Sequence, residues 1–172
     1  MTGFEAARCV AFFRCGPVQL RLTGKVYSAP MERTLAIIKP DAGAARQVGA
    51  ILQRIELAGF TLRWMRLVKL SRHDAEGFYA VHRTKPFFDS LVTFMSSGPA
   101  VMLVLESADA IRKWRALMGA TDPAIAEAGS IRRDFGSSIE HNATHGSDAV
   151  DTAAFEVDYF FSDLEYSNSA EG

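Results

Sequence analysis

The chain has 172 residues, 48% of them hydrophobic and 23% charged, enough for one globular domain with a proper core. A formal net charge of −1 removes any global pull toward nucleic acid or a membrane surface, without excluding a local anion site. The two cysteines, Cys9 and Cys15, lie near the N-terminus and make neither a disulfide framework nor a metal set, and no apolar run reaches the length of a membrane span.

Residues 1–30 read as an N-terminal extension, in which Arg8, Arg14, Arg21 and Lys25 stand against a single acid, Glu5. Arg14 cuts the apolar run Cys9–Phe13 too short for a secretory core. The composition fits a targeting leader, an ordered extension, or an upstream start with the domain opening at Met31; the last two are the simpler readings. Thr34–Ile38 reads as a buried strand that Lys39-Pro40-Asp41 ends. Over Ala45–Ala58, Val48, Ile51, Leu52 and Ile55 share one face of a helix that Gly59 stops. Phe60–Leu70 alternates as a second strand, and Ser71 is placed to cap a helix over 72–81. Pro86 opens a helix carrying Phe87, Phe88, Leu91, Val92 and Met95, broken by Ser97-Gly98-Pro99.

Ala100–Leu105 reads as a buried strand, Ala108–Met118 as a helix ended by Gly119, and residues 119–130 as a turn-rich connection. Ile131–Phe135 is predicted to be a last short strand. Asp148 is predicted to cap a final helix, with Asp151 three residues on and an apolar face of Val150, Ala153, Val157, Phe160 and Phe161. The domain thus spans 31–163, with residues 164–172 a polar, flexible tail. Strands interleaved with helices predict an α/β or α+β class, helices packed on one sheet.

The chain contains no P-loop, no dinucleotide fingerprint, no Cys/His metal spacing and no nucleophile elbow. What remains is His145, in the run Asn142-Ala143-Thr144-His145-Gly146-Ser147-Asp148 directly before the last helix. A helix start gathers free N–H groups and partial positive charge, which suits an anion, and histidine is a nucleophile that can carry a phosphoryl group. An isolated loop histidine is more often a plain surface residue.

Each of the possible helpers has two readings. Lys39 at the mouth of the first strand is a phosphate ligand or a solvated lysine. Arg115, Thr121 and Arg132 flank the long connection and offer guanidinium forks and a hydroxyl, or surface ion pairs. Phe87 and Phe88 are core residues, unless one is exposed and stacks on a base. Tyr79 donates to an anion or caps a core edge, Asn142 bonds a sugar or closes a turn, and Glu156 reads as an exposed helix acid.

Taken in order, Ile38-Lys39-Pro40-Asp41, Pro86-Phe87-Phe88, Ser97-Gly98-Pro99, Gly119-Ala120-Thr121-Asp122-Pro123, Ile131-Arg132 and Asn142-Ala143-Thr144-His145-Gly146-Ser147-Asp148 resemble the nucleoside diphosphate kinases, most closely bacterial members, from about Glu32 to Phe161. The resemblance implies a ferredoxin-like βαββαβ fold, α+β, with an antiparallel sheet covered by helices. It implies that His145 takes the γ-phosphoryl of a triphosphate and passes it to a diphosphate, in a ping-pong exchange with broad base and ribose tolerance. Lys39, Tyr79, Arg115, Thr121 and Arg132 would surround the phosphates. Asn142 and Lys39 would approach the ribose, Phe87 would stack on the base beside Leu91 and Ile139, and Ser147 and Glu156 would orient the histidine. Mg²⁺ would arrive on the nucleotide rather than on protein side chains.

The same resemblance implies a cytoplasmic homo-oligomer, a tetramer or hexamer built from dimers, with nucleoside di- and triphosphates as partners. A nucleotide- or nucleic-acid-binding regulator on the same fold is the alternative. Intact Lys39, Arg115, Arg132 and His145 count against it, and acids outnumber bases beyond residue 30, which counts against a nucleic-acid partner. The chain departs from the family pattern at Ala42 and Ala149, where small effects are expected, and at Ala128, where a missing proline puts the stiffness of the connection, and with it subunit packing, in question.

Overall fold

Thr34-Leu35-Ala36-Ile37-Ile38 is apolar at nearly every position, so an alternating, half-solvated strand cannot accommodate it. In the computed structural model, which describes residues 31–161 in full and the backbone of residues 20–22 and 25–27, this run lies inside an antiparallel sheet buried on both faces. Leu20–Leu22 (β1) pairs with Lys25–Tyr27 (β2) as a separate two-stranded ribbon. The other expectations for the extension, and those for the tail 164–172, lie outside the described residues.

The main sheet has the order β4-β5-β3-β6. Met31–Ile38 (β3) pairs along its whole length with Ala100–Ala108 (β5), from Met31 opposite Ala108 to Ile38 opposite Val101. Thr61–Val68 (β4) forms one edge, with a bulge between Leu62 and Trp64, and Thr144–Gly146 (β6) forms the other, with His145 opposite Ile37. On one face Leu35, Ile37, Met102 and Val104 pack against Arg72–Phe78 (α3), Phe88–Ser96 (α4) and Val150–Phe160 (α7). On the other, Ala36, Ile38, Leu103 and Leu105 pack against Val48–Leu57 (α2) and Ala110–Met118 (α5). Pro40–Ala44 (α1) turns the chain at the end of β3. The βαββαβ arrangement is the expected α+β, ferredoxin-like fold with helices over an antiparallel sheet.

The local signals for α2, α3, α4, α5, β3, β4 and β5 lead to elements close to those expected. Ser71 Oγ accepts the Asp74 N–H at 3.1 Å while Asp74 Oδ2 accepts the Ser71 N–H at 3.0 Å, a complete capping box. Four expectations are corrected. Ile131–Phe135 is a short helix (α6), not a strand, because five residues cannot separate the two periods and the Ile131/Phe135 spacing suits a helix face turned to the α2–α5 core. The last helix starts one residue later than expected: Ala149, not Asp148, is its N-cap, and the Asp148 carboxylate accepts from the Thr152 hydroxyl at 2.7 Å. Val150 is exposed rather than part of that helix's apolar face. His145 lies on strand β6 and not at a helix start.

Candidate active site

His145 owes its place to strand pairing and to one tryptophan. Trp114 of α5 is completely buried and donates its indole N–H to the His145 carbonyl at 3.2 Å. Any Cβ on Gly146 would overlap that indole, so the glycine after the histidine lets α5 close onto β6. The imidazole sits edge-on to Phe78 and Tyr79, at centroid distances of 5.6 and 6.1 Å.

Nε2 of His145 lies 3.0 Å from Glu156 Oε1, and Ser147 Oγ donates to the other carboxylate oxygen at 2.6 Å. Ser147 is held in turn by the Leu35 N–H at 3.2 Å. A carboxylate only accepts, so this contact assigns the ring proton to Nε2 and leaves the Nδ1 lone pair uncommitted. Glu156, read from sequence as an exposed acid, is mostly buried. The helical turns separating it from Asp148 bring it back over β6.

His145 opens into a cavity of about 480 Å³. Of the residues singled out from sequence, Lys39, Tyr79, Phe87, Leu91, Thr121, Arg132, Ile139 and Asn142 line it as well. Phe87 is about half exposed, whereas Phe88 packs against the core, which settles which of the two rings is open. Ser147 and Glu156 stand behind the histidine. Arg115 is not among the lining residues; it borders a neighbouring depression with Glu32 and Asp148. Its charge still reaches the cavity, since it is one cause of the lowered Arg132 pKa.

The cations are partly desolvated. Lys39 Nζ donates to Asn142 Oδ1 at 2.6 Å and to the Glu140 carbonyl at 3.3 Å. Burial, opposed by the Asp41 charge, lowers its pKa to about 8. Arg132 donates through Nη1 to the Gly119 carbonyl and through Nη2 to the Thr144 carbonyl, and burial followed by Arg115 lowers it to about 10. The Asn142 amide nitrogen donates to Thr121 and Ile139 carbonyls, so this side chain knits the cavity wall together, with only its oxygen available to a ligand. Tyr79 Oη, Arg132 Nε and Thr144 Oγ1 are buried and have no hydrogen-bond partner among the described residues. Buried polar atoms are normally satisfied, so these three set the cavity wall apart from the rest of the core. Burial, then the Glu156 charge, raises the Tyr79 phenol's pKa, which keeps it a donor.

The family model for nucleoside diphosphate kinase matches residues 32–166. The chain is 62% identical to the nucleoside diphosphate kinase of Syntrophotalea carbinolica over 135 residues, 78% of this chain and 98% of that protein. It is 56% identical to that of Geobacter sulfurreducens over the same shares. This chain belongs to the nucleoside diphosphate kinase family.

Among solved structures, the kinase resembles the Aquifex aeolicus enzyme with a TM-score of 0.78 and 43% identity, over 79% of this chain and 99% of that one. It resembles the Halobacterium salinarum enzyme, solved in complex with CDP, with a TM-score of 0.75 and 42% identity over 78% and 90%. The activity is that of the family, exchange of a phosphoryl group between nucleoside phosphates, and the family works with a divalent cation. Among the described residues no helix is long and apolar enough to cross a membrane.

Sequence reasoning missed several residues of the kinase's cavity. His82, Ser90, Glu140 and Thr144 also line it. His82 follows Tyr79 by three residues and stacks on it at 6.4 Å, brought there by the 3-10 turn Ala80–His82 that lies beyond the end of the helix. Trp114 and Asp41 carried no local signal, because their contacts to the His145 run span 31 and 102 residues of chain.

Proposed function

We propose that the kinase runs its exchange through a phosphohistidine on Nδ1 of His145. The observation that carries this is the hydrogen bond from Nε2 to Glu156, which leaves Nδ1 as the unprotonated nitrogen of a ring that lines a cationic cavity. The Nδ1 lone pair forms the N–P bond as the bond from the γ-phosphorus to its bridging oxygen breaks, and that oxygen leaves as the terminus of a diphosphate. No proton has to leave Nδ1. The positive charge that the ring acquires is balanced through Nε2–H by Glu156, which Ser147 holds in place. The reverse step, with a second diphosphate in the same cavity, completes a ping-pong cycle.

Phosphoryl transfer needs in-line placement and charge around the equatorial oxygens more than covalent assistance. Lys39 and Arg132 supply charge at the cavity wall, Arg115 supplies it from the adjoining depression, and Tyr79 and Thr121 offer hydroxyl donors. Phe87, Leu91 and Ile139 make an apolar slot for the base, which favours loose base preference, while Lys39 and the Asn142 oxygen serve the ribose. The divalent cation would be Mg²⁺, arriving with the nucleotide rather than on protein side chains, and it would supply charge neutralisation beside Lys39 and Arg132. The cationic lining fits a metal–nucleotide complex better than a bare dication. A cytoplasmic location is the reading that exchange among nucleoside phosphates supports. The edge of β4, which has no strand partner among the described residues and where Met65 and Leu67 are exposed side by side, supports a homo-oligomer built from dimers, tetramer or hexamer.

Incubation with ATP and Mg²⁺ followed by mass spectrometry tests the reading. The expected result is one acid-labile, base-stable phosphoryl group on His145 and none on H145A, which keeps the fold and loses exchange. Ping-pong turnover retained by H145A, or a serine ester in place of the histidine adduct, sinks it.

A further inference from the structure

We propose that Asp41 is a positioning residue for His145, acting through the turn Asn142-Ala143-Thr144; the inference rests on the function proposed above. Ala143 is fully buried and has φ of +66°. The Thr144 N–H donates back across it to the Asn142 carbonyl at 2.7 Å. A bond between residues two apart around a positive-φ centre is the pattern of the rare, strained form of the γ-turn, and Ala143 has a Cβ that this conformation disfavours. Such turns persist only where the surroundings over-determine them.

Two neighbouring residues supply that constraint. Asp41 Oδ2 accepts the Ala143 N–H at 3.0 Å, and the Lys39 N–H donates to the Ala143 carbonyl at 2.9 Å. The start of α1 therefore grips Ala143 through both its N–H and its carbonyl. The turn has Asn142, which holds the Lys39 ammonium, on one side, and Thr144 and His145, which open β6, on the other. Relaxation of Ala143 toward negative φ would rotate these two arms apart and shift Nδ1 relative to Lys39 and Arg132. Asp41 Oδ1 is buried with no partner among the described residues, so the bond to the turn is what the carboxylate gains in exchange for its desolvation.

Three variants isolate this role. D41A removes the acceptor, D41N keeps a side-chain carbonyl in its place, and D41A/A143G replaces the strained residue with one that takes positive φ freely. With wild-type labelling by ATP as the reference, misplacement of the nucleophile should slow single-turnover phosphorylation of His145 about 10–100-fold in D41A and less than about threefold in D41N. Removing Asp41 in the A143G background should be nearly silent, because the two changes act on one turn. The Ala143 amide should lose hydrogen-exchange protection in D41A and keep it in D41N.

D41A that phosphorylates at the wild-type rate, D41N as slow as D41A, or an Ala143 amide equally protected in D41A overturns the inference. If D41A does not accumulate as folded protein, A143G against D41A/A143G decides: a double variant about tenfold slower than A143G alone overturns it, and equal rates support it. A wild type that never forms the phosphohistidine instead defeats the proposed function, and amide exchange still decides whether Asp41 holds the turn.

Discussion

Lys39 gives the cavity a pH dependence whose direction follows from its surroundings. Burial holds its ammonium pKa at about 8 against an ordinary 10.5, so near and above pH 8 a growing share of the free enzyme has a neutral amine there. A phosphate ligand favours the charged form, so nucleotide binding takes up a proton in this range and affinity falls as pH rises through it. Calorimetric titration with ADP, in buffers of different ionisation heat, should show that uptake at pH 8 and a weaker complex at pH 9; K39M should lose both. Stability of the ligand-free protein runs the other way. The unfolded chain binds more protons than the folded one between about pH 8 and 10.5, so the folded state gains over that window. A second residue-level contrast concerns Phe87 and Phe88. Their chemistry is identical, and only the start of α4 after Phe87 decides that one ring is open to the cavity and the next is packed inside.

Strand β6 shows how an element can form without local propensity. Thr144-His145-Gly146 contains one β-favouring residue, and its extended form comes from pairing with the edge of β3 and from the indole beneath it. G146A tests this. The added methyl would collide with a tryptophan that has no room to retreat, and overpacking of this kind costs about 1–3 kcal/mol. Urea denaturation should register that loss, and His145 phosphorylation should slow with it, because the strand cannot move away from Trp114 without carrying the histidine along. The long connection over residues 119–130 makes a related point. Where relatives were expected to have proline, Ala128 stands, yet Arg133 bonds the Pro123 and Ala124 carbonyls and Arg54 bonds that of Gly129, so the segment is fastened by side chains from outside it.

For the whole subunit, β4 is an exposed boundary of the main sheet among the described residues. Its outer edge has no strand partner among the described residues, and Leu67, 73% exposed, sits beside Met65 on the face that α2 and α5 leave uncovered there. A natural protein rarely leaves such an edge open. L67D should convert the proposed oligomer to a smaller species in sedimentation velocity and lower the melting temperature, since a partner that binds only the folded form stabilises it by mass action. An unchanged sedimentation coefficient would place the subunit contact elsewhere. Inside the subunit, Glu106 bridges Arg33 and Arg63 and so ties β3, β5 and β4 at one end of the sheet. Arg63 first, and then Arg33, hold its carboxyl below the ordinary range, so this support is present at neutral pH and lost as the medium turns acid through that lowered value.

The amino-acid order alone determined the helix and strand signals that depend on nearest neighbours, such as the Ser71 cap, the amphipathic stripe of α2 and the apolar run of β5, together with the motif string that marks the family. Periodicity by itself left the strand directions open, pointed to a strand where Ile131–Phe135 is helical, and carried no sign of the extended form of His145. Those features rest on contacts between residues far apart in the chain: β3 with β6, Trp114 with His145, Asp41 with Ala143, Glu156 with the imidazole. Local sequence carries the short-range energies that start and stop an element. Which side chain is desolvated, and which nitrogen of one histidine stays free, is settled only once distant segments share the same low-dielectric space.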